Sequence, residues 1–153
     1  MKSQYKSDES KIEMGTGKMS PSATNERRTE NMMKKTPVQF SSATPNANMP
    51  GVTDVSPNEL LKVANAVHIV DVRGTDEYTG ELGHIAGSKL LVLDTLPDHI
   101  NELPKDEPIV FVCRSGGRSA RATAFAMSNG FQHVYNMQGG MLLWNQLGQA
   151  VER

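Results

Sequence analysis

The sequence contains very little cysteine, since Cys113 is the only one among 153 residues. A single thiol excludes an internal disulfide framework and a zinc site built from cysteines, but it leaves a catalytic thiol possible. Long apolar runs are also absent, because no stretch reaches the roughly 18 residues that a membrane-spanning helix requires. We therefore expect neither a disulfide-stabilised domain nor a membrane protein.

Charge of either sign is not in excess. The chain has 16 Lys and Arg against 17 Asp and Glu, a formal net charge of -1. This balance gives no reason to expect nucleic acid or an acidic membrane surface as a partner. The first residues include lysines but lack the apolar core of a secretory signal. The sequence is thus expected to be that of a cytoplasmic protein that binds neither nucleic acid nor membrane.

The first 50 residues are poor in large apolar side chains. They contain no leucine or tryptophan, and their only Ile, Val, Phe and Tyr residues are Tyr5, Ile12, Val38 and Phe40. Such a segment buries too little apolar surface to offset its backbone entropy, about 1–2 kcal/mol per residue. The sequence predicts a disordered or linker-like tail over residues 1–50, or alternatively a partner-docking arm, and one folded domain over residues 51–153.

From residue 51 the pattern alternates between strands and helices. Segments 51–55, 67–72, 88–93, 108–113 and 133–137 are predicted strands. The first predicted helix has Ser56 as its N-cap, Pro57 in its first turn and Glu59 as the partner of a capping box. Helices are also predicted after each later strand. Alternation with short connections predicts an α/β domain of three layers, in which helices cover both faces of a mostly parallel five-stranded sheet.

Cys113 ends the most strand-like segment, one short turn before a helix. In parallel sheets, ligands bind at this carboxyl end of the strands. Gly116 and Gly117 allow backbone N–H groups in the turn to point inward, and Arg114 and Arg118 add positive charge. These groups and the helix N-terminus favour a thiolate over a thiol. The pattern therefore predicts a reactive cysteine, with an inert core cysteine as the alternative.

Two classes of enzyme hold a cysteine in a loop of this kind. Cysteine phosphatases have five residues between cysteine and arginine, but only four separate Cys113 from Arg118. Val112 also stands where those enzymes have a histidine. The six-residue loop Cys-Arg-Ser-Gly-Gly-Arg instead resembles that of the rhodaneses, which are sulfurtransferases.

Three further segments resemble a single-domain rhodanese. They are the entry at 51–63, the stretch Ile-Val-Asp-Val-Arg to Gly-His-Ile-Ala-Gly-Ser at 69–88, and Val-Tyr-Asn-Met-Gln-Gly-Gly to Trp-Asn-Gln-Leu-Gly at 134–148. The resemblance covers the predicted domain and leaves the first 50 residues without a counterpart. It implies a rhodanese-like three-layer fold.

The resemblance also implies a reaction. Cys113 would accept a sulfane sulfur from thiosulfate or a similar small anionic donor and pass it, as a persulfide, to cyanide or to a thiol, including a protein thiol. No metal or organic cofactor is implied. The implied substrate-binding residues are Arg114, Ser115, Gly116, Gly117, Arg118 and Ser119. The alternative function is a non-catalytic or regulatory docking module, against which the presence of the cysteine counts.

Supporting roles are implied outside the loop. Asp71 and Arg73 would brace it, or would equally serve as an ion-paired scaffold at a strand end. His84 is expected to anchor a turn rather than to act as a base. Within the loop, Arg118 is expected to reach a bound anion and Arg114 to point outward and attract the donor from solvent.

Overall fold

The computed structural model describes residues 34–153, so the first 33 residues of the predicted tail lie outside the described part of the chain. Residues Lys35–Arg153 form one compact unit. Its strands are β1 (Thr44–Pro45), β2 (Thr53–Val55), β3 (His68–Asp71), β4 (Lys89–Leu90), β5 (Ile109–Val112) and β6 (Val134–Met137). Its α-helices are α1 (Pro57–Lys62), α2 (Thr75–Tyr78), α3 (Leu96–His99), α4 (Gly117–Ser128) and α5 (Gly140–Gln146), with 3-10 turns at Ala64–Ala66, Leu93–Thr95 and Ile100–Glu102. Within this unit no helix is long and apolar enough to cross a membrane.

The strands of this unit form a single sheet in the order β1-β2-β6-β5-β3-β4. Strand β1 runs antiparallel to β2, and every other neighbouring pair is parallel. The prediction of a mostly parallel α/β sheet is confirmed. The predicted number of strands is five, whereas the described sheet has six. The additional strand is β1, which lies within residues 1–50, the predicted tail.

Strand β5 shows how the three layers are built. Its residues alternate between the two faces of the sheet, as expected for a strand buried on both sides. Ile109 and Phe111 pack with α3 and α4 in one core cluster. Val110 and Val112 pack with α1 and α5 in the other. Cys113 continues the alternation on the α3 and α4 side, where it belongs to the first cluster.

The start of α1 is formed largely as its sequence predicts. The Ser56 side chain accepts a hydrogen bond from the Glu59 N–H at 3.1 Å, and Pro57 occupies the first turn. The carboxylate of Glu59, however, does not complete a capping box. It accepts hydrogen bonds from the N–H and the hydroxyl of Ser41 at 2.9 and 2.8 Å. Helix α1 is thereby connected to the segment that precedes β1.

Residues 35–50 pack on the domain, in contrast to the predicted boundary at residue 51. Val38 and Phe40 lie against the core cluster that includes α1 and α5. The Phe40 ring meets the Tyr135 ring edge-on, with centroids 4.8 Å apart. With few apolar residues and no periodicity, this segment has no sequence signal for a strand. It gains its structure from the sheet edge and the core surface that the rest of the domain provides.

We predict that Phe40→Ala lowers the free energy of unfolding by about 1–2 kcal/mol, because the half-buried ring loses apolar contacts. Gln39→Ala is the matched control, since Gln39 is exposed, and it should change stability by no more than about 0.5 kcal/mol. Urea unfolding of both variants measures the difference. Equal midpoints would show that the packing of Phe40 contributes nothing to stability.

Candidate active site

Cys113 lies directly after β5 and is only 1% exposed. Because its side chain is in phase with Ile109 and Phe111, the thiol faces the start of α4. Its Sγ accepts hydrogen bonds from the N–H of Gly116 at 3.1 Å and from the hydroxyl of Ser119 at 3.2 Å. The loop therefore supplies two donors to the sulfur, which is an arrangement that stabilises negative charge there.

The backbone of Gly116 makes the first of these contacts possible. Gly116 has φ of +106°, in the left-handed region that favours glycine, and it precedes the first residue of α4. Helix α4 begins at Gly117. The N–H groups of Gly117, Arg118 and Ser119 lie in the first turn, where no carbonyl within the helix is available to them. These donors lie at the end of α4 that adjoins the cysteine loop, and the Gly116 N–H before them points at the sulfur.

Helix α5 holds the other side of the loop. The N–H groups of Met141 and Leu142 donate to the carbonyls of Cys113 and Arg114 at 2.8 and 3.0 Å. Gly140 has φ of +59°, and a Cβ built on it would lie 2.4 Å from the carbonyl carbon and oxygen of Arg114. Only glycine allows this approach. The Gly-Gly turn, matched by resemblance alone in the sequence, thus has a structural role at the cysteine loop.

We predict that Gly140→Ala displaces the loop, whereas Gly148→Ala does not. Both glycines have positive φ, but a Cβ on Gly148 would meet nothing within 4 Å. Each substitution should cost the roughly 1–2 kcal/mol of a left-handed residue, and the Gly140 variant should lose clearly more. The rate of Cys113 alkylation by iodoacetamide should fall only in Gly140→Ala. Equal rates in the two variants would contradict the role given to this contact.

Arg118 is bound to a carboxylate rather than extended toward the loop centre. Its two terminal nitrogens donate to the two carboxylate oxygens of Glu77 at 2.8 and 3.0 Å. Glu77 also accepts from the Gly74 N–H at 3.1 Å, so it joins α2 to α4. These hydrogen bonds, above all those from Arg118, lower the pKa of Glu77 to about 2. The pair engages both terminal nitrogens of Arg118, so the predicted contact of this side chain with a bound anion stays a prediction.

Arg114 carries the exposed positive charge of the loop. Its side chain is exposed and makes no ion pair with any residue in 34–153. It lines a cleft of about 360 Å³ together with Arg73, Glu77 and Leu142. The expectation that Arg114 points outward agrees with this position.

We predict that Glu77→Gln lowers stability at pH 7 by about 0.2–1 kcal/mol, because the pair with Arg118 is partly exposed. Since the folded-state pKa of Glu77 lies below the ordinary 4.5, this contribution is complete above pH 4.5 and is lost as the pH falls through about 2. The difference between wild type and variant in urea unfolding should therefore shrink between pH 5 and pH 2. Glu81→Gln, which removes an exposed carboxylate nearby, is the control and should show no such trend.

Asp71 and Arg73 form a buried ion pair, with both side chains 1% exposed. Two guanidinium nitrogens of Arg73 donate to the two oxygens of Asp71 at 2.8 and 2.7 Å, and Arg73 also donates to the Gly83 carbonyl at 2.7 Å. In the sheet register Asp71 lies opposite Val112, next to Cys113. The pair thus joins the end of β3 to Gly83, as the scaffold interpretation expects. A bracing role toward the cysteine loop stays a prediction, because these contacts are not to the loop.

A chain of buried polar side chains lies behind the cysteine, and of its members only Ser119 was predicted from the sequence. The Ser119 Oγ also lies within hydrogen-bond distance of the side-chain oxygen of Asn136 on β6. Asn136 in turn donates to Asp54 on β2 at 2.9 Å, and Asn46 donates to the same Asp54 oxygen at 2.9 Å. The available signal was a polar residue, Asn136, in the middle of a predicted buried strand.

His84 is engaged in a turn, as expected. Its Nδ1 donates to the Tyr78 carbonyl at 2.7 Å, and the two rings stack with centroids 3.7 Å apart. Its backbone N–H and carbonyl also pair with those of Glu152. Among residues 34–153, no three His, Cys, Asp or Glu side chains are grouped in a way that could hold a metal ion.

Comparison with known proteins places these features in a family. A thiosulfate sulfurtransferase GlpE from Pseudomonas fluorescens is 41% identical over 86 residues, which are 56% of this chain and 76% of that protein. A protein named sulfurtransferase from Allochromatium vinosum is 37% identical over 94 residues, covering 61% of this chain and 86% of that one.

Solved structures of rhodanese-like proteins are also similar to this chain. A rhodanese-like domain protein from Staphylococcus aureus matches with a TM-score of 0.57 and 33% identity, covering 65% of this chain and 98% of that one. The human single-domain sulfurtransferase TSTD1 matches with a TM-score of 0.55 and 26% identity, covering 61% and 95%. The family model for the rhodanese-like domain matches residues 56–147, and the chain therefore belongs to the rhodanese-like domain family.

Proposed function

We propose that this protein is a sulfurtransferase that carries a sulfane sulfur on Cys113. The observation that carries the proposal is the environment of the Cys113 sulfur, which accepts hydrogen bonds from the Gly116 N–H and the Ser119 hydroxyl at the end of a buried parallel strand. Relatives that are named thiosulfate sulfurtransferase or sulfurtransferase support the same assignment.

In the first half-reaction, the Cys113 thiolate attacks the outer sulfur of thiosulfate. A new S–S bond forms, the S–S bond of thiosulfate breaks, and sulfite leaves with the bonding electron pair. The negative charge of the cysteine sulfur is then carried by the outer sulfur of the persulfide. No proton and no external oxidant or reductant are required.

In the second half-reaction, a nucleophilic acceptor attacks the outer sulfur of the persulfide. With cyanide the products are thiocyanate and the Cys113 thiolate, and with a thiolate acceptor the product is a persulfide of that acceptor. The S–S bond to Cys113 breaks and its electron pair returns to the cysteine sulfur. Two half-reactions that share a covalent intermediate predict ping-pong kinetics.

The loop residues divide between attraction and binding. Arg114 is exposed on the cysteine loop, and its positive charge attracts the anionic donor toward that loop. We expect the backbone N–H groups from Gly116 to Ser119, at the start of α4, to hold the charged outer sulfur. The side chain of Arg118 supports the loop through Glu77, and its positive charge interacts with Cys113.

We predict that incubation with thiosulfate increases the intact mass of the protein by one sulfur atom, and that subsequent cyanide removes it and releases thiocyanate. Cys113→Ser should do neither, because Cys113 is the only thiol. Mass spectrometry and a colorimetric thiocyanate assay measure the two half-reactions separately. Transfer that persists in Cys113→Ser would overturn the assignment of the nucleophile, and an unchanged wild-type mass with every donor would favour a docking module.

A further inference from the structure

Apart from Ser119, the polar chain behind the cysteine is not used by the proposed transfer step. It consists of Asp54, Asn136 and Ser119, all less than one-tenth exposed, and it ends at Cys113. Burying such groups is unfavourable unless they are hydrogen-bonded, and here each bonds the next. The chain connects β2, β6 and α4 and terminates on the reactive sulfur.

Asp54 determines how the Asn136 amide is oriented. A carboxylate only accepts hydrogen bonds, so the Asn136 group that faces Asp54 at 2.9 Å must be the NH₂ group. The amide oxygen of Asn136 is consequently turned toward Ser119. Asn46 donates to the same oxygen of Asp54, which holds this carboxylate in place from the other side. The hydroxyl of Ser119 therefore faces a fixed acceptor.

Ser119 has one hydroxyl hydrogen but two acceptors. Its Oγ lies within hydrogen-bond distance of the Asn136 amide oxygen and 3.2 Å from the Cys113 sulfur. A neutral thiol is a weak acceptor, so the hydroxyl then donates to Asn136, and the S–H can donate to the Ser119 oxygen. A thiolate is a charged and stronger acceptor, so the hydroxyl then rotates to the sulfur.

We propose that Asn136 and Asp54 are positioning residues that make the Ser119 hydroxyl a switch, which donates to Cys113 only while the cysteine sulfur is negatively charged. Only the hydroxyl rotates, and no covalent bond forms or breaks. Asn136 competes with the sulfur for the hydroxyl hydrogen and thereby opposes the thiolate. Asp54 affects the cysteine only indirectly, because it fixes the orientation of the Asn136 amide.

The consequence for sulfur transfer rests on the proposed function. In the persulfide the charge lies on the outer sulfur, so the Ser119 hydroxyl returns to Asn136. When the acceptor attacks, charge develops on the Cys113 sulfur and the hydroxyl rotates back to stabilise the departing thiolate. The switch thus supplies its hydrogen bond at the moment when the charge appears.

The decisive experiment is a double-mutant cycle on the pH dependence of Cys113 alkylation by iodoacetamide. Ser119→Ala should move the midpoint to higher pH, because the thiolate loses a donor. Asn136→Ala should move it to lower pH, by about half a pH unit to one unit, because a competing acceptor is removed. In the Ser119→Ala background, Asn136→Ala should have no effect, since Asn136 acts only through the hydroxyl.

A shift by Asn136→Ala that is equal in both backgrounds, or a shift to higher pH, would overturn the proposal. The charged groups around the loop are unchanged in these variants, so their influence cancels in the cycle. They are Arg114 and Arg118 at the loop, Asp71 and Arg73 at the end of β3, Glu77 on α2 and Asp54 on β2. Asn129→Ala is the control for loss of a structural amide, because Asn129 bonds the Phe125 carbonyl at the far end of α4, and it should leave the midpoint unchanged.

Asp54→Asn provides a second test if Asn136→Ala does not fold. The amide introduced at position 54 can both donate and accept, so it no longer fixes the orientation of Asn136. The pH midpoint of Cys113 alkylation should therefore fall. Loss of the negative charge alone would also lower it, but that part remains in the Ser119→Ala background, whereas the positioning part disappears. A full shift in both backgrounds would exclude positioning by Asp54. Alkylation requires no sulfur transfer, so these outcomes are independent of the thiosulfate mass experiment.

Discussion

The carbonyls of Cys113 and Arg114 accept hydrogen bonds from the first turn of α5, and this contact determines the geometry of the site. The two backbones approach so closely that only a glycine at position 140 fits between them. With these carbonyls bound to α5, the chain turns toward α4 and directs the Gly116 N–H at the sulfur. The reactivity proposed for the cysteine therefore depends on how one strand and two helices meet, and the buried sheet provides the rigidity that this requires.

Paired charges around the loop also help to position its backbone. Arg73 is completely buried with Asp71, and Arg118 is held by Glu77, so both contribute mainly to the position of the backbone. A buried pair costs desolvation energy and is a poor source of net stability, but it fixes geometry when its hydrogen bonds are satisfied. Among these three arginines, Arg114 is the exposed one. Arg73 and Arg118 thus serve the structure through their carboxylate partners, whereas the exposed Arg114 is left to attract the anionic donor.

The sequence was sufficient to predict the α/β class and the position of Cys113 at a strand end, because strong apolar periodicity and a glycine-rich turn are local signals. It was not sufficient for Thr44–Pro45, a two-residue edge strand with no periodicity of its own. Nor could it reveal the pair of Glu77 and Arg118, which are separated by 41 positions. Such contacts depend on which strands become neighbours in the sheet. The polar Asn136 in a buried strand was the one local hint of the network behind the sulfur.

That network bears on a conflict within the proposed reaction. Hydrogen bonds that stabilise a thiolate make it a better leaving group in the second half-reaction but a weaker nucleophile in the first. Thiosulfate and sulfite carry the same charge, so attraction by Arg114 does not favour one direction over the other. A donor that can turn between the sulfur and Asn136 eases the conflict, because Ser119 stabilises charge on Cys113 when it is present and keeps its own hydrogen bond when the charge has moved to the outer sulfur. The Gly116 N–H, fixed by the backbone, cannot do this. The two donors to the sulfur therefore differ in function, one permanent and one dependent on charge.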